Sequence, residues 1–343
     1  MVAMSGGVDS TVAAVLLREQ GYEVIGLTFA TEYIQQAAAD AAHVAEAMNI
    51  EHHVVDADSA FSKEVIDYFT AEYLAGRTPN PCVRCNRHIK FGLLLDEALA
   101  LGADLIATGH YARVEYNPSC ARHLLKKGAD INKDQSYVLY PLTQHQLKHI
   151  ILPMGSIDKN RARTIARNMN LPNADRSESQ EICFVGRKDY AGFVVSQSGR
   201  EIAPGPILDV SGDTVGRHRG IIYYTIGQRR SLGISSKQPL YVLEIDAERN
   251  ALVIGTEEDL YSNELSAKDV NYIAERPESP IEIKAKIRYK HIAADGILIP
   301  AENDTARVKF ISPQKAIAPG QSVVFYVGDT VIGGGIIDRR IIC

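Results

Sequence analysis

Tryptophan is absent from these 343 residues, and cysteine and methionine number only five each. Cys82, Cys85, Cys120, Cys183 and Cys343 are too few, and odd in number, for a disulfide framework, so metal binding or thiol chemistry is their more natural use. Long apolar runs are missing too. None approaches the roughly 20 residues that span a bilayer, and Met1 to Ser10 has neither the basic start nor the apolar stretch of a secretory leader. The expected compartment is therefore cytoplasmic, with no membrane partner, and the Asn303-Asp304-Thr305 glycosylation pattern has no meaning there. An excess of cations is also lacking. The formal net charge of -5 excludes indiscriminate binding of polyanions but leaves room for a local basic surface. What is present, 45% hydrophobic and 23% charged residues, is ordinary for a folded chain. The length exceeds what one core holds, so two or three domains are expected.

Periodicity divides the chain. Up to about residue 150, helical patterns at 11–20, 37–48, 61–75 and 86–101 alternate with strand patterns at 23–29, 52–57 and 104–108. Such alternation predicts a parallel sheet with helices on its faces, an α/β domain whose ligands sit beyond the carboxyl ends of the strands. Over 151–275 one more helical pattern, 159–171, gives way to short β-rich runs parted by Gly and Pro, as at 207–210, 241–245 and 251–255. This is a mixed, β-rich middle domain. After a break at Glu275-Arg276-Pro277-Glu278-Ser279-Pro280, strand patterns at 281–289, 305–311 and 322–327 predict a C-terminal β-barrel over 276–343.

Where the first strand hands over to the first helix stands Ala3-Met4-Ser5-Gly6-Gly7-Val8-Asp9-Ser10. Two glycines let backbone close on a ligand, Ser5 and Ser10 offer hydroxyls, and a helix N-terminus favours an anion, so the string reads as a phosphate cradle. No Gly-Lys-Ser/Thr follows, which separates it from the Walker pattern and from kinase-like transfer of a terminal phosphate. The bland alternative is a Gly-Ser turn with an acidic helix cap.

The Ser-Gly-Gly-x-Asp-Ser string resembles that of the PP-loop ATP-pyrophosphatases, of adenine nucleotide alpha hydrolase-like fold, which cleave ATP to AMP and pyrophosphate while adenylating a substrate oxygen. Further along stand Pro79-Asn80-Pro81-Cys82-x-x-Cys85-Asn86, Gly109-His110-Tyr111, Asn132-Lys133-Asp134-Gln135-Ser136-Tyr137, Ile182-Cys183-Phe184, Gly227-Gln228-Arg229, Pro319-Gly320-Gln321-Ser322 and Gly333-Gly334-Gly335. In that order they resemble the tRNA-specific 2-thiouridylases along nearly the whole chain. The resemblance implies use of ATP and Mg2+ to adenylate the position-2 oxygen of a wobble uridine in tRNA, with lysine, glutamate and glutamine acceptors. Sulfur from a donor protein or sulfide then replaces that oxygen. It implies nucleotide contacts from Ala3, Met4, Ser5, Gly6, Gly7, Val8, Asp9, Ser10, Phe29 and Gly109, Phe29 standing where many relatives have Met. It implies tRNA contacts from Asn80, Pro81, Cys82, His110, Lys133, Asp134, Gln135, Arg288, Tyr289 and Gln321. On their residue types alone, His110 could instead end a buried strand, Asp134 shape a turn and Lys133 be merely solvated.

By the same resemblance, Cys183 receives sulfur as a persulfide and Cys85 resolves it. The chemistry agrees, since moving sulfur onto carbon needs a soft nucleophile and release from a persulfide needs a second thiol. Cys82 departs from the family, many of whose members have Asp there. If the fold brings Cys183 to the Cys82 and Cys85 loop, three thiolates converge, and a 4Fe-4S cluster with one open iron is the favoured reading of that departure. A zinc site on Cys82 and Cys85 lacks a second Cys-x-x-Cys to complete it. Cys183 could also be apolar filler between Ile182 and Phe184, and Cys120 and Cys343 read as structural.

Independently of any family, 217–238 carries Arg217, Arg219, Arg229, Arg230 and Lys237 with no acidic residue, and Tyr223 and Tyr224 among them. Such a segment can hold phosphates while aromatics stack on bases. Over 282–290, strand periodicity puts all the charges on one face, either toward RNA or as guards of an edge. Two rivals stand beside the thiolation reading. A PP-loop ligase of small molecules would need neither Cys85 nor Cys183, and a noncatalytic RNA-binding protein would keep its ATP domain for regulation.

Overall fold

The computed structural model describes residues 1–169, 171, 173–174, 182–185 and 189–341. Strand β1 (Val2–Ala3), helix α1 (Val8–Glu19), strand β2 (Gly26–Ala30), helix α2 (Gln35–Met48) and strand β3 (His52–Asp56) follow in turn. The parallel sheet runs β3, β2, β1, Ile106–Ala107, Ile150–Ile151. The chain therefore builds outward on one side of β1, then returns to build on the other. α1 buries Val8, Val12, Val15 and Leu17 against the helix Lys159–Asn168, whose Ala162 and Ala166 are fully enclosed. Packing thus carries the first unit past the change of style at residue 150, because that helix has its apolar partners here.

The patterns at 61–75 and 86–101 predict regular helices. Both runs start earlier, at 58 and 81, and both contain a π-helical stretch, Ser62–Asp67 and Cys85–Leu93. A 3.6-residue period cannot show this, because wider turns shift the buried face only gradually. Between them and the middle unit lies an antiparallel hairpin, Ala112–Asn117 with Arg122–Lys127, outside the strand patterns read above. Its first strand alternates over only six residues, and its second carries Arg122 and Lys126 on one face and His123 and Lys127 on the other, so no alternation marks that half.

The middle unit is a four-stranded sheet ordered Tyr241–Asp246, Ala251–Gly255, Gly205–Leu208, Thr214–His218. Its Ile207, Val242, Leu252 and Ile254 share one core with Phe61, Phe69 and Tyr73 of the first unit. The last unit is a closed barrel of six strands: Tyr261–Tyr272, Ala306–Lys315, Ala294–Pro300, Ile281–Lys286, Ser322–Val327 and Thr330–Ile341, which pairs back onto Tyr261–Tyr272. Closure leaves no free edge. The barrel's first strand precedes the Pro-rich break at 275, so the break is an internal turn rather than the boundary. Gly334 serves this packing: a Cβ there would stand 2.7 Å from the Tyr140 ring and from the Val323 carbonyl oxygen. No helix among the described residues is long and apolar enough to cross a membrane.

Candidate active site

A sheet that builds outward from β1 in both directions leaves a crevice beyond the ends of β1 and Ile106–Ala107. Ser5 to Ser10 occupies one wall. Gly6 is left-handed (φ 69°) and so close to α2 that a Cβ would lie 2.4 Å from Asp40 Cβ. The Gly7 carbonyl accepts from the hydroxyls of Ser10 and Thr11, both at 3.0 Å, and Ser5 N–H donates to Ser10 Oγ at 3.3 Å. Side chains hold the loop from behind. In front, Gly7 caps α1 without any side-chain bond to the first-turn N–H groups. Open donors at the positive end of a helix fit a polyphosphate.

Asp9 Oδ1 accepts from Tyr111 Oη at 2.7 Å and from Lys159 Nζ at 2.6 Å. Its other oxygen has no partner among the described residues, and one carboxylate with phosphate oxygens is an ordinary holding of Mg2+. Gly109 faces this loop so closely that a Cβ would stand 2.6 Å from Asp9 C and Ser10 N. Phe29 stacks on Phe61 in the side wall, with ring centroids 6.1 Å apart. Met4 and Val8 are buried and Ala3 half-buried, supporting the cradle from below. The residues present therefore fit ATP with Mg2+. Lys159 and Asn173, whose Nδ2 donates to the Gly6 carbonyl and to Thr11 Oγ1 at 2.9 Å each, also belong to this wall. Nothing in their local sequence marks either.

The thiols lie on the adjacent side. Asn80 Oδ1 accepts from the Cys82 N–H at 3.2 Å and Pro81 opens the helix, which leaves Cys82 exposed and Cys85 buried. Phe184 packs edge-on against Phe69 and Phe61, with centroids at 5.2 and 5.8 Å, in the same core as Cys85. That anchor brings exposed Cys183 back to the Cys82 and Cys85 loop. Burial pushes the Cys85 thiol up to about 12, opposed by the Lys90 ammonium and reinforced by Cys183 and Cys82. Cys82 and Cys183 reach solvent at the cleft mouth with protein packed around them. Burial raises both thiols; Cys82 further raises Cys183, and Lys90 opposes the rise in each. Three thiols thus share one electrostatic neighbourhood with one ammonium. Among the described residues, however, no three His, Cys, Asp or Glu side chains are grouped so as to hold a metal ion. As arranged, the three sulfurs do not fit the cluster expected of them. Cys120 is exposed in the hairpin turn rather than packed, and Cys343 lies outside the described residues.

His110 is buried, its Nδ1 2.7 Å from Thr108 Oγ1. Burial first, and Lys90 second, hold its imidazole well below the ordinary histidine range, so it is neutral. Asp134 is also buried. It accepts from the N–H groups of Gly128 and Ser136 at 3.1 Å and from Ser136 Oγ at 3.0 Å. Gln135 Oε1 accepts from Tyr111 N–H at 2.9 Å, and Lys133 is half-buried beside them. This segment braces Gly109-His110-Tyr111. Arg288 and Tyr289 are exposed on the barrel, with Lys286 Nζ 5.5 Å from the Tyr289 ring centre. Arg217, Arg219, Arg229, Arg230 and Lys237 are all exposed on the middle unit, Arg219 lying 4.2 Å over the Tyr223 ring.

All three units meet just before Cys82. Thr78 N–H donates to the Pro319 carbonyl at 2.8 Å, Gln321 Nε2 donates to the Thr78 carbonyl at 2.8 Å, and Thr78 Oγ1 is 3.5 Å from Thr225 Oγ1.

A sheet with this switch point, this loop and this helix N-terminus defines a PP-loop nucleotide-binding protein. Residues 1–187 match the tRNA methyl transferase HUP domain, 193–256 the tRNA methyl transferase PRC-barrel domain, and 262–337 the aminomethyltransferase β-barrel domain. The tRNA-specific 2-thiouridylase MnmA 2 of Thermoanaerobacter sp. (strain X514) is 50% identical over 355 aligned positions, 99% of this chain and 98% of its own. The tRNA-specific 2-thiouridylase MnmA of Acetivibrio thermocellus is 49% identical, covering 98% of each chain. The chain belongs to the tRNA-specific 2-thiouridylase (MnmA) family. Solved structures align less fully. The U34-tRNA thiolase NcsA from Methanococcus maripaludis with its [4Fe-4S] cluster aligns at TM-score 0.33 and 18% identity, over 58% of this chain and 62% of that one.

Proposed function

We propose that this chain carries out ATP-dependent 2-thiolation of the wobble uridine of tRNA in the cytoplasm, with lysine, glutamate and glutamine tRNAs as acceptors. The uridine O2 attacks the α-phosphorus of ATP, pyrophosphate leaves, and ring nitrogen N3 gives up its proton. The cradle of Ser5 to Ser10 with Asp9 and Mg2+ holds the phosphates, beside Ala3, Met4, Phe29 and Gly109. The terminal sulfur of a Cys183 persulfide, loaded when Cys183 attacks the outer sulfur of a donor protein's persulfide and the donor thiolate leaves, attacks C2, and the C2–O bond breaks to release AMP. Cys85 sulfur then attacks Cys183 Sγ. A Cys85–Cys183 bond forms, the other S–S bond breaks with its electron pair left on the thiouridine, and the Cys85 proton ends on N3. A cellular thiol reduces the disulfide.

AMP leaves far more readily than oxide, which is why the oxygen is activated first. The single observation that carries this reading is the return of Cys183 to Cys85 beside the phosphate crevice. Arg288, Tyr289, Gln321 and the exposed cations of 217–237 receive the tRNA; Asn80, Pro81 and Cys82 face its reacting base, and His110, Lys133, Asp134 and Gln135 hold that approach in shape. A cluster on Cys82, Cys85 and Cys183 is the second route for sulfur, favoured by Cys82 standing in the Asp position and opposed by the absence of a ligand grouping among the described residues.

The test supplies purified protein with tRNA, ATP, Mg2+ and a donor protein carrying a persulfide, then follows pyrophosphate and digested nucleosides. Pyrophosphate release should require tRNA, and 2-thiouridine should appear at the wobble position. Release driven by a small-molecule acceptor without tRNA would return the chain to the PP-loop ligases.

A further inference from the structure

We propose that Lys90 is the cation that stabilises negative sulfur during the transfer step, an assignment that rests on the persulfide route above. The backbone puts it there. In an α-helix, residues five apart point about 140° away from each other. Cys85 to Leu93 is π-helical, and bonds from each residue to the fifth one on bring position 90 over position 85. The extra residue per turn thus rotates an ammonium onto the face of the buried thiol.

Its surroundings are unlike those of neighbouring cations. Arg84 is spent on Glu64 at 2.6 Å, under which Tyr68 also lies 4.9 Å from the guanidinium. Lys90 is half-buried, and among the described residues it has no hydrogen bond or ion pair. Its charge acts on Cys82, Cys85, Cys183 and His110, three thiols and one neutral imidazole, and among the described residues no carboxylate pairs with it. A partly desolvated ammonium without an anion is costly unless an anion arrives in the working cycle.

Sulfur transfer supplies that anion twice. The attacking persulfide is negative, and negative charge appears again when Cys85 attacks and the thiouridine sulfur departs with the electron pair. A preorganised cation at this point lowers both barriers without altering adenylation, whose charge develops on the phosphates in the neighbouring cradle.

The experiment compares full-length wild type, Lys90→Met and Lys90→Arg with tRNA, ATP, Mg2+ and a donor protein carrying a persulfide. Removing one preorganised charge from such a step costs on the order of 100-fold. Lys90→Met should therefore form thiouridine about 100-fold more slowly per pyrophosphate released, with tRNA affinity and the rate of pyrophosphate release within about twofold of wild type. Iodoacetamide should alkylate its Cys183 more slowly at a fixed pH, and Lys90→Arg should recover most of both losses. Equal losses of pyrophosphate release and thiolation would mean that Lys90 is only structural, and weakened tRNA binding with an intact thiolation step would make it a phosphate contact. Either overturns the assignment. Mass analysis separates it from the reading beneath: no Cys183 persulfide in active wild type defeats both, whereas a persulfide in wild type with undiminished thiolation by Lys90→Met defeats the assignment alone.

Discussion

Asp9 holds its place by two donors on one oxygen, Tyr111 and Lys159, and that division of labour decides what its loss should do. Asp9→Ala, or Gly7→Val at the open front of the loop, should abolish tRNA-dependent pyrophosphate release while tRNA affinity by filter binding stays within about twofold, because the cations proposed to receive the RNA are on other units. Unchanged release in either variant would remove the ATP site from this crevice. Cys82→Asp installs the residue that the family resemblance leads one to expect there. If sulfur passes from Cys183 to Cys85, that variant keeps thiolation activity; if a cluster carries it, a carboxylate in place of one thiolate weakens cluster and activity together. Anaerobic purification with iron and sulfide analysis reads the difference, and full activity of iron-free protein eliminates the cluster. Legibility at this scale followed contiguity. Ser5 to Ser10 can be read because the cradle is one stretch of chain. Lys159 and Lys90 cannot, because one reaches Asp9 across 150 positions and the other is turned to Cys85 by a helix type that leaves no periodic mark.

The elements repeat the lesson with different physics. Buried strands and amphipathic helices of the first sheet announced themselves by hydrophobic pattern, whereas the hairpin Ala112–Asn117 and Arg122–Lys127 did not, since only Leu125 of its second strand is fully buried. Leu125→Ala should cost about 2–5 kcal/mol, seen as a fall in midpoint temperature, because the cavity opens where hairpin, first sheet and barrel strand share one core. The alternation of Ile281–Lys286 was legible and decides a second outcome: Ile283 and Ala285 turn inward, leaving Lys284 exposed, and beyond the strand Ile287 is buried while Arg288 stays outside. Replacing Arg288 by Ala, or Arg229 and Arg230 together, should weaken tRNA binding and reduce the log-log salt slope by roughly 0.7 to 0.9 per lost phosphate contact. A slope that does not move makes them ordinary solvated charges.

At the scale of the whole molecule, residues 76–80 are the meeting point of all three units, and they lead directly into Cys82. Gln321→Ala removes the barrel's hold on the Thr78 carbonyl and should slow thiolation of bound tRNA more than it weakens tRNA affinity, which single-turnover assays at saturating tRNA can separate. Length alone allows two or three units, and Lys159–Asn168 and Tyr261–Tyr272 find their partners across the apparent breaks in composition. The closing strand sets a schedule as well. Lys126 of the early hairpin pairs with Thr330, and Thr330–Ile341 also seals the barrel. During synthesis the hairpin must wait for roughly two hundred further residues, about 10–40 s at ordinary elongation rates, before its outer edge is covered. For that interval the nascent chain carries an unpaired strand edge beside an unfinished barrel, so the arrival of Thr330–Ile341 determines when it becomes safe from its neighbours.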